Sequence, residues 1–211
     1  MRMIRTYDTH VYDFLGKVRK IFGGIDLSCM HHSFQVIPPA GAGDQATEVH
    51  EQFYAAFDEL RPTYEDFLRD EIMPLFNEDL CAQAVPTFRV SGPGGTAVSE
   101  FHRDSDFHHQ VGTVNFWVPM TPAFDTNTVW VESAPDRGDY QPAEVNPGEY
   151  LQFDALSLRH GNMPNTTGVC RVSFDFRVVP RSRFVSTGLK TVSSSTDLEL
   201  GAYYTLVPYR P

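Results

Sequence analysis

The sequence predicts a mainly β protein, a jelly roll or β-sandwich with N-terminal helices packed outside it. Three observations carry this expectation. After residue 82, short segments rich in Val, Phe, Thr and Trp alternate with Gly, Pro, Asn and Asp. Before residue 82, apolar residues recur at spacings of three and four. Helices followed by a long run of strands is a chain order that suits such layered folds.

The elements follow in order. A first helix is predicted over Val11–Phe22. In a second, Glu48–Leu60, the residues Phe53, Ala56, Phe57 and Leu60 share one face. In a third, Pro62–Phe76, Tyr64, Phe67, Leu68, Ile72 and Leu75 do the same, and Pro62 suits a first-turn position that needs no N–H. Strands are predicted near 84–90, 97–104, 112–118, 127–132, 149–154 and 169–179. Turns fall at SGPGG (91–95), PDRG (135–138) and NPG (146–148). One domain then spans 1–211: a mainly helical support over 1–81, a β core over 82–184, and a tail over 185–211 that is a candidate lid.

Composition removes whole classes of function. Seventeen Lys and Arg stand against 27 Asp and Glu, a net charge of −10. Such a chain has no overall positive field to displace counterions from phosphates, which argues against a nucleic-acid partner. No run of about 18 apolar residues offers a membrane span, and the first residues lack the apolar core of a secretion signal. Cys29, Cys81 and Cys170 stand far apart, so they form no thiolate cage for zinc and suit a reducing compartment. A cytoplasmic protein acting on a small molecule is expected. Several motifs fail on inspection. GPGG at 92–95 lacks the third glycine of a dinucleotide loop. His50-Glu51 lacks the second histidine of a zinc protease, because Tyr54 stands there.

One constellation survives. On a strand, residues i and i+2 point to the same face, so His102 and Asp104 would project together. His160, from a distant strand, would complete two imidazoles and one carboxylate. That donor set suits non-haem Fe(II) and leaves three coordination positions open. Eleven residues after His160, Arg171 and Ser173 share one strand face, while Val172, Phe174 and Phe176 share the other. A buried arginine is costly unless an anion meets it. A dicarboxylate bound to the metal at one end and to the arginine fork at the other would do so.

These residues, H-x-D, a distal His and R-x-S, resemble the pattern of the Fe(II)/2-oxoglutarate-dependent dioxygenases. From PTFR (86–89) to FDFR (174–177), the chain is similar to small bacterial oxygenases of streptomycin-type antibiotic and sugar-modification clusters. The likeness rests on EFHRDSD (100–106), VNFWVPMT (114–121), NTVWVES (127–133) and HGN (160–162). The resemblance implies a double-stranded β-helix with Fe(II) on His102, Asp104 and His160, and with 2-oxoglutarate and O₂ as co-substrates. It further implies a salt bridge from Arg171 to the distal carboxylate of 2-oxoglutarate and a hydrogen bond from Ser173. The expected reaction is hydroxylation of a small molecule with release of succinate and CO₂. The carboxylate at position 104 argues against a halogenase.

Alternatives stay open at this stage. Arg177 rivals Arg171 for the co-substrate, and Asp106 rivals Asp104. Desaturation, epimerisation or cyclisation would use the same cofactors, and a cupin-like binding module would use the barrel without turnover. Asn115 is a candidate donor to 2-oxoglutarate. Arg89, His108, Trp117, Asn127 and Trp130 are candidate substrate contacts.

Overall fold

Two antiparallel sheets face each other, one of them backed by helices. The structure, a computed structural model, describes residues 2–96, 100–192 and 194–210. In chain order the strands are β1 (Arg2–Thr6), β2 (Leu80–Gln83), β3 (Thr87–Ser91), β4 (Val114–Pro119), β5 (Val129–Val131), β6 (Gln141–Pro142), β7 (Glu149–Phe153), β8 (His160–Asn162), β9 (Arg171–Pro180) and β10 (Tyr204–Val207). The helices are α1 (Phe14–Ile21) and α2 (Glu48–Phe67). The large sheet runs β1-β7-β4-β9-β2-β10, with β3 also paired to β9, and the small sheet runs β6-β5-β8.

Strand β9 organises the large sheet. One edge pairs with β4, setting Asn115 opposite Arg177 and Trp117 opposite Asp175. The other edge pairs first with β3, setting Ser91 opposite Arg171 and Arg89 opposite Ser173, and then with β2. Alternation sorts the side chains into two sets. Val172, Phe174, Phe176 and Val178 face one way, where the helices lie. Arg171, Ser173, Asp175 and Arg177 face the other way, toward the small sheet.

The helical side is aromatic. Phe53 of α2 stacks on Phe88 with ring centres 4.1 Å apart. Tyr64 and Phe67 meet Phe176 edge-on at 5.4 and 6.2 Å, and Phe14 of α1 meets Phe174 at 5.0 Å. Each buried ring contributes roughly 1.5–3 kcal/mol, so this face supplies much of the rigidity behind β9.

Two expectations are corrected here. The predicted helices 48–60 and 62–76 are one continuous α2 with Pro62 inside it, followed by a π-helical turn over Leu68–Ile72. Pro62 forfeits one backbone hydrogen bond, a cost of about 3 kcal/mol. The unbroken buried stripe of Phe53, Phe57, Leu60, Tyr64 and Phe67 outweighs that cost. The predicted strand 97–104 falls partly on residues 97–99, outside the described residues. Its remaining part is no strand: His102 makes an isolated bridge and Asp104 opens a 3₁₀ turn, Asp104–Phe107. Strands β1, β2, β6, β8 and β10 went unpredicted because each is short or lacks a β-branched run. Among the described residues, no helix is long and apolar enough to cross a membrane.

Candidate active site

His102 and His160 face each other across the gap between segments. His102 N–H donates to the His160 carbonyl at 3.0 Å, and His160 N–H donates back at 2.9 Å. Residues in such a doubly bonded antiparallel pair project to the same side, and the two ring centres lie 4.5 Å apart. Asp104 joins them by another route than the predicted alternation. Its N–H donates to the Ala155 carbonyl at 2.8 Å, which seats the start of the 3₁₀ turn and brings Oδ1 to 3.7 Å from His160 Nε2. Gly161 permits the close approach, since a Cβ there would stand 3.1–3.2 Å from Phe101. Gly161→Ala should therefore weaken metal binding about tenfold with every ligand retained, as seen for lost outer-shell support. Calorimetry with Mn(II) checks this.

The donor atoms suit a divalent metal. One ligand atom from each of His102, Asp104 and His160 falls within 4.8 Å of the others. His102 Nδ1–H donates to the Glu100 carbonyl at 2.8 Å, and His160 Nδ1–H to the Leu158 carbonyl at 3.1 Å. Each ring is thereby fixed in the tautomer that leaves its Nε2 lone pair free for a metal. Burial alone would raise the Asp104 pKa, but the Arg177 guanidinium outweighs it and holds the carboxyl well below its usual range.

Two cavities meet at this point. The smaller is lined by Asn115, Trp117, His160 and Arg171, and the larger, about 470 Å³, by Asp44, Tyr54, Gln83, Asp104, His109 and Tyr203. His102, Arg89 and Arg177 line both. Tail residues Thr191, Val192 and Thr196 wall the larger one.

Arg171 and Arg177 differ in their partners. Arg177 is taken by carboxylates: Nε to Asp104 Oδ2 at 2.6 Å, Nη2 to Asp104 Oδ1 at 3.1 Å, and Nη1 to Asp175 Oδ2 at 3.1 Å. Arg171 is 1% exposed, and among the described residues it bonds only neutral oxygens. Nε donates to the Asn127 carbonyl at 3.0 Å, and Nη1 to Ser173 Oγ at 2.9 Å. Among the described residues no carboxylate pairs with it. Burial, and then the like charge of Arg89, pushes its pKa down to about 9, so it still carries its charge at neutral pH. Beside it, the buried Asn115 Oδ1 has no hydrogen-bond partner among the described residues, and the Trp117 ring lies 5.5 Å from the guanidinium.

The other candidates lie as follows. Arg89 bridges Asp175, at 2.9 Å, and Asp44. Asn127 turns its side chain inward to the Phe124 N–H, and only its backbone carbonyl reaches the site, through Arg171. Trp130 Nε1–H donates to the Asp125 carbonyl, and His108, in the left-handed region at φ 70°, donates to the Lys190 carbonyl. None of these three side chains lines either cavity. Asp106 caps its own 3₁₀ turn by accepting from the Arg103 N–H. Sequence reasoning missed the pairing of Arg177 with Asp104, and it missed Asp175, Asp44 and Tyr203. The alternation that joined Arg171 to Ser173 continues to Asp175 and Arg177, so part of that signal was present.

Burial pushes His50 and His160 down to about 4 and His109 to about 3. Unfolded, each titrates near 6.5. As pH falls through 6.5 toward 4, the unfolded chain takes up protons that the fold refuses, so stability is lost over that window. The Tm of metal-free protein should fall between pH 6.5 and 4.5; a flat Tm there would contradict this burial.

Several solved structures share the fold. The α-ketoglutarate-dependent carbocyclase SnoK of nogalamycin biosynthesis matches with a TM-score of 0.56 at 12% identity, over 85% of this chain and 80% of its own. CytC3 with Fe(II) and α-ketoglutarate matches at 0.56 and 16%, over 97% and 82%. EctD from S. alaskensis with bound Fe matches at 0.57 and 15%, over 87% and 74%. The chain thus shares its fold with proteins that are α-ketoglutarate-dependent or were solved with bound iron, in line with the resemblance its motifs carry. Among curated proteins, the streptomycin biosynthesis protein StrG of Streptomyces griseus is 35% identical over 205 residues, covering 95% of this chain and 96% of its own. The chain belongs to the StrG family. No protein-family model matches it.

Proposed function

We propose that the protein is an Fe(II)- and 2-oxoglutarate-dependent oxygenase of antibiotic biosynthesis that hydroxylates a small molecule, built as a double-stranded β-helix with its helices outside and its tail 185–211 over the mouth. The observation that carries this reading is the buried Arg171, which has no carboxylate partner among the described residues, together with three convergent side chains that could hold a metal. Charge supports it. In the two cavities Arg89, Arg171 and Arg177 balance Asp44, Asp104 and Asp175, and burial favours the neutral imidazole at His109 and His160 between them. A divalent metal adds two charges and a dicarboxylate removes two, so only the pair together leaves the buried site balanced.

His102, Asp104 and His160 would hold Fe(II). Arg171, with Ser173 beside it, would hold the far carboxylate of 2-oxoglutarate, and Asn115 would meet the co-substrate from β4. Bound there, the metal and 2-oxoglutarate supply oxidation of a C–H bond by O₂, with release of CO₂ and succinate. The chain orients the co-substrate through the Arg171 fork and excludes water with Trp117 and Phe153. It presents the substrate from the larger cavity, whose lining of Gln45, Tyr54, Gln83, Thr87, His109 and Tyr203 offers hydrogen bonds to a polar molecule.

The test is succinate formation from 2-oxoglutarate under air with added Fe(II), beside calorimetric binding of 2-oxoglutarate to Mn(II)-loaded protein. Metal-dependent binding of the dicarboxylate is expected. If 2-oxoglutarate fails to bind and no succinate forms beyond that of a His102→Ala variant, the reading is lost.

A further inference from the structure

We infer that Arg177 is a positioning residue that confines Asp104 to a single metal-facing oxygen. The inference rests on the metal site proposed above. The two carboxylate oxygens of Asp104 are held unequally. Oδ2 takes the short bond from Arg177 Nε at 2.6 Å, while Oδ1, at 3.1 Å from Nη2, is the atom 3.7 Å from His160 Nε2. A carboxylate oxygen in a short charge-assisted bond to a guanidinium is withdrawn from other partners. Oδ1 keeps a lone pair for the metal, and Oδ2 does not turn toward it.

The fork is itself braced. Asp175 Oδ2 holds Arg177 Nη1 at 3.1 Å, and Asp175 Oδ1 is held by Arg89 Nε at 2.9 Å. Between the β2 and β3 pairings of β9 the ladder breaks, and there the Arg177 N–H donates to the Gln83 side chain at 3.3 Å. Arg177 is thus fixed at its backbone by Gln83 of β2 and at its side chain by Asp175, which Arg89 of β3 holds in turn, as a residue that sets another's orientation must be.

Coordination arithmetic gives the consequence. Two imidazoles and one carboxylate oxygen occupy three of six positions, and a 2-keto acid bound by two atoms leaves one for O₂. A two-oxygen grip by Asp104 would fill that last position. The arrangement also separates the two arginines: Arg177 serves the metal's carboxylate, which leaves Arg171 for the co-substrate.

The experiment counts water on Mn(II) in the loaded protein by pulsed EPR in ¹⁷O-labelled water, alongside a crystal structure of the same complex. Wild type should show three metal-bound waters, with Asp104 bound through one oxygen and the Nε–Oδ2 bond intact. Arg177→Met should show two waters with Asp104 bound through both oxygens. Arg177→Lys, which keeps a charged donor for Oδ2, should restore the third. Two waters in wild type, or three in Arg177→Met, overturns the inference and leaves the metal site standing. If Mn(II) does not bind, or binds His102→Ala equally well, the metal site falls and the inference with it. Should the methionine variant fail to fold, the wild-type structure decides: Asp104 bound through both oxygens refutes the inference.

Discussion

Arg171→Met should weaken 2-oxoglutarate binding by at least about 30-fold while leaving the fold nearly as stable as before. The dicarboxylate's far end would sit in a dry pocket with no cation, and truncating one partner of a buried charge pair costs about 2–5 kcal/mol. At about 1.4 kcal/mol per decade, that is a loss of some 30-fold to a few thousand-fold in affinity. Stability follows different terms. The free protein keeps a buried guanidinium without a counter-charge, its pKa already pushed down to about 9, so its removal relieves a penalty. Against this, Ser173 Oγ and the Asn127 carbonyl lose their donor, at about 1–3 kcal/mol each if water cannot reach them. These terms oppose and leave a net change of about 1–2 kcal/mol, a few degrees in Tm for a chain of this size. Binding within threefold of wild type would show that another group anchors the co-substrate.

The fold class was legible in the sequence because turn residues punctuate the strands and the β9 face alternates without error from Arg171 to Val178. The cluster of His102, Asp104 and His160 was legible by residue type, although not by geometry. His102 and Asp104 were expected to converge by strand alternation, yet they converge because His102 pairs with His160 and Asp104 starts a 3₁₀ turn seated on the Ala155 carbonyl. Local spacing was a correct sign for the wrong reason. Asn127 and Trp130 illustrate the opposite limit. Their type suits ligand contact, but which way each side chain turns depends on the 3₁₀ turn Asp125–Asn127, which no periodicity announces. The Arg177–Asp104 pair was hidden for a related reason: it joins residues 73 positions apart, and only the assembled sheets bring them together.

Asp104→Asn should lose both the metal and a large share of stability, unlike the arginine variant in the same cavity. The substitution keeps size and shape but removes the charge that Arg177 meets at 2.6 and 3.1 Å. An amide offers one oxygen. It can face the guanidinium or the metal, and either choice turns its NH₂ against a cation. Metal binding should fall to background in Mn(II) calorimetry, and succinate formation with it. Arg177 would keep only Asp175, and breaking a buried ion pair costs about 3–5 kcal/mol, roughly 6–20 °C in Tm for a chain of this length. The loss should appear in metal-free protein, since the pair exists without metal. His160→Ala gives the contrast: it also abolishes metal binding, but it strands no charge, so its Tm should fall less. A double-mutant cycle joining Asp104→Asn to Arg177→Met isolates the pair, because the combined variant no longer buries one charge facing an amide. If metal-free Asp104→Asn melts within two or three degrees of wild type, the Arg177 fork does not grip Asp104 in solution, and the two arginines would have to exchange the roles assigned to them.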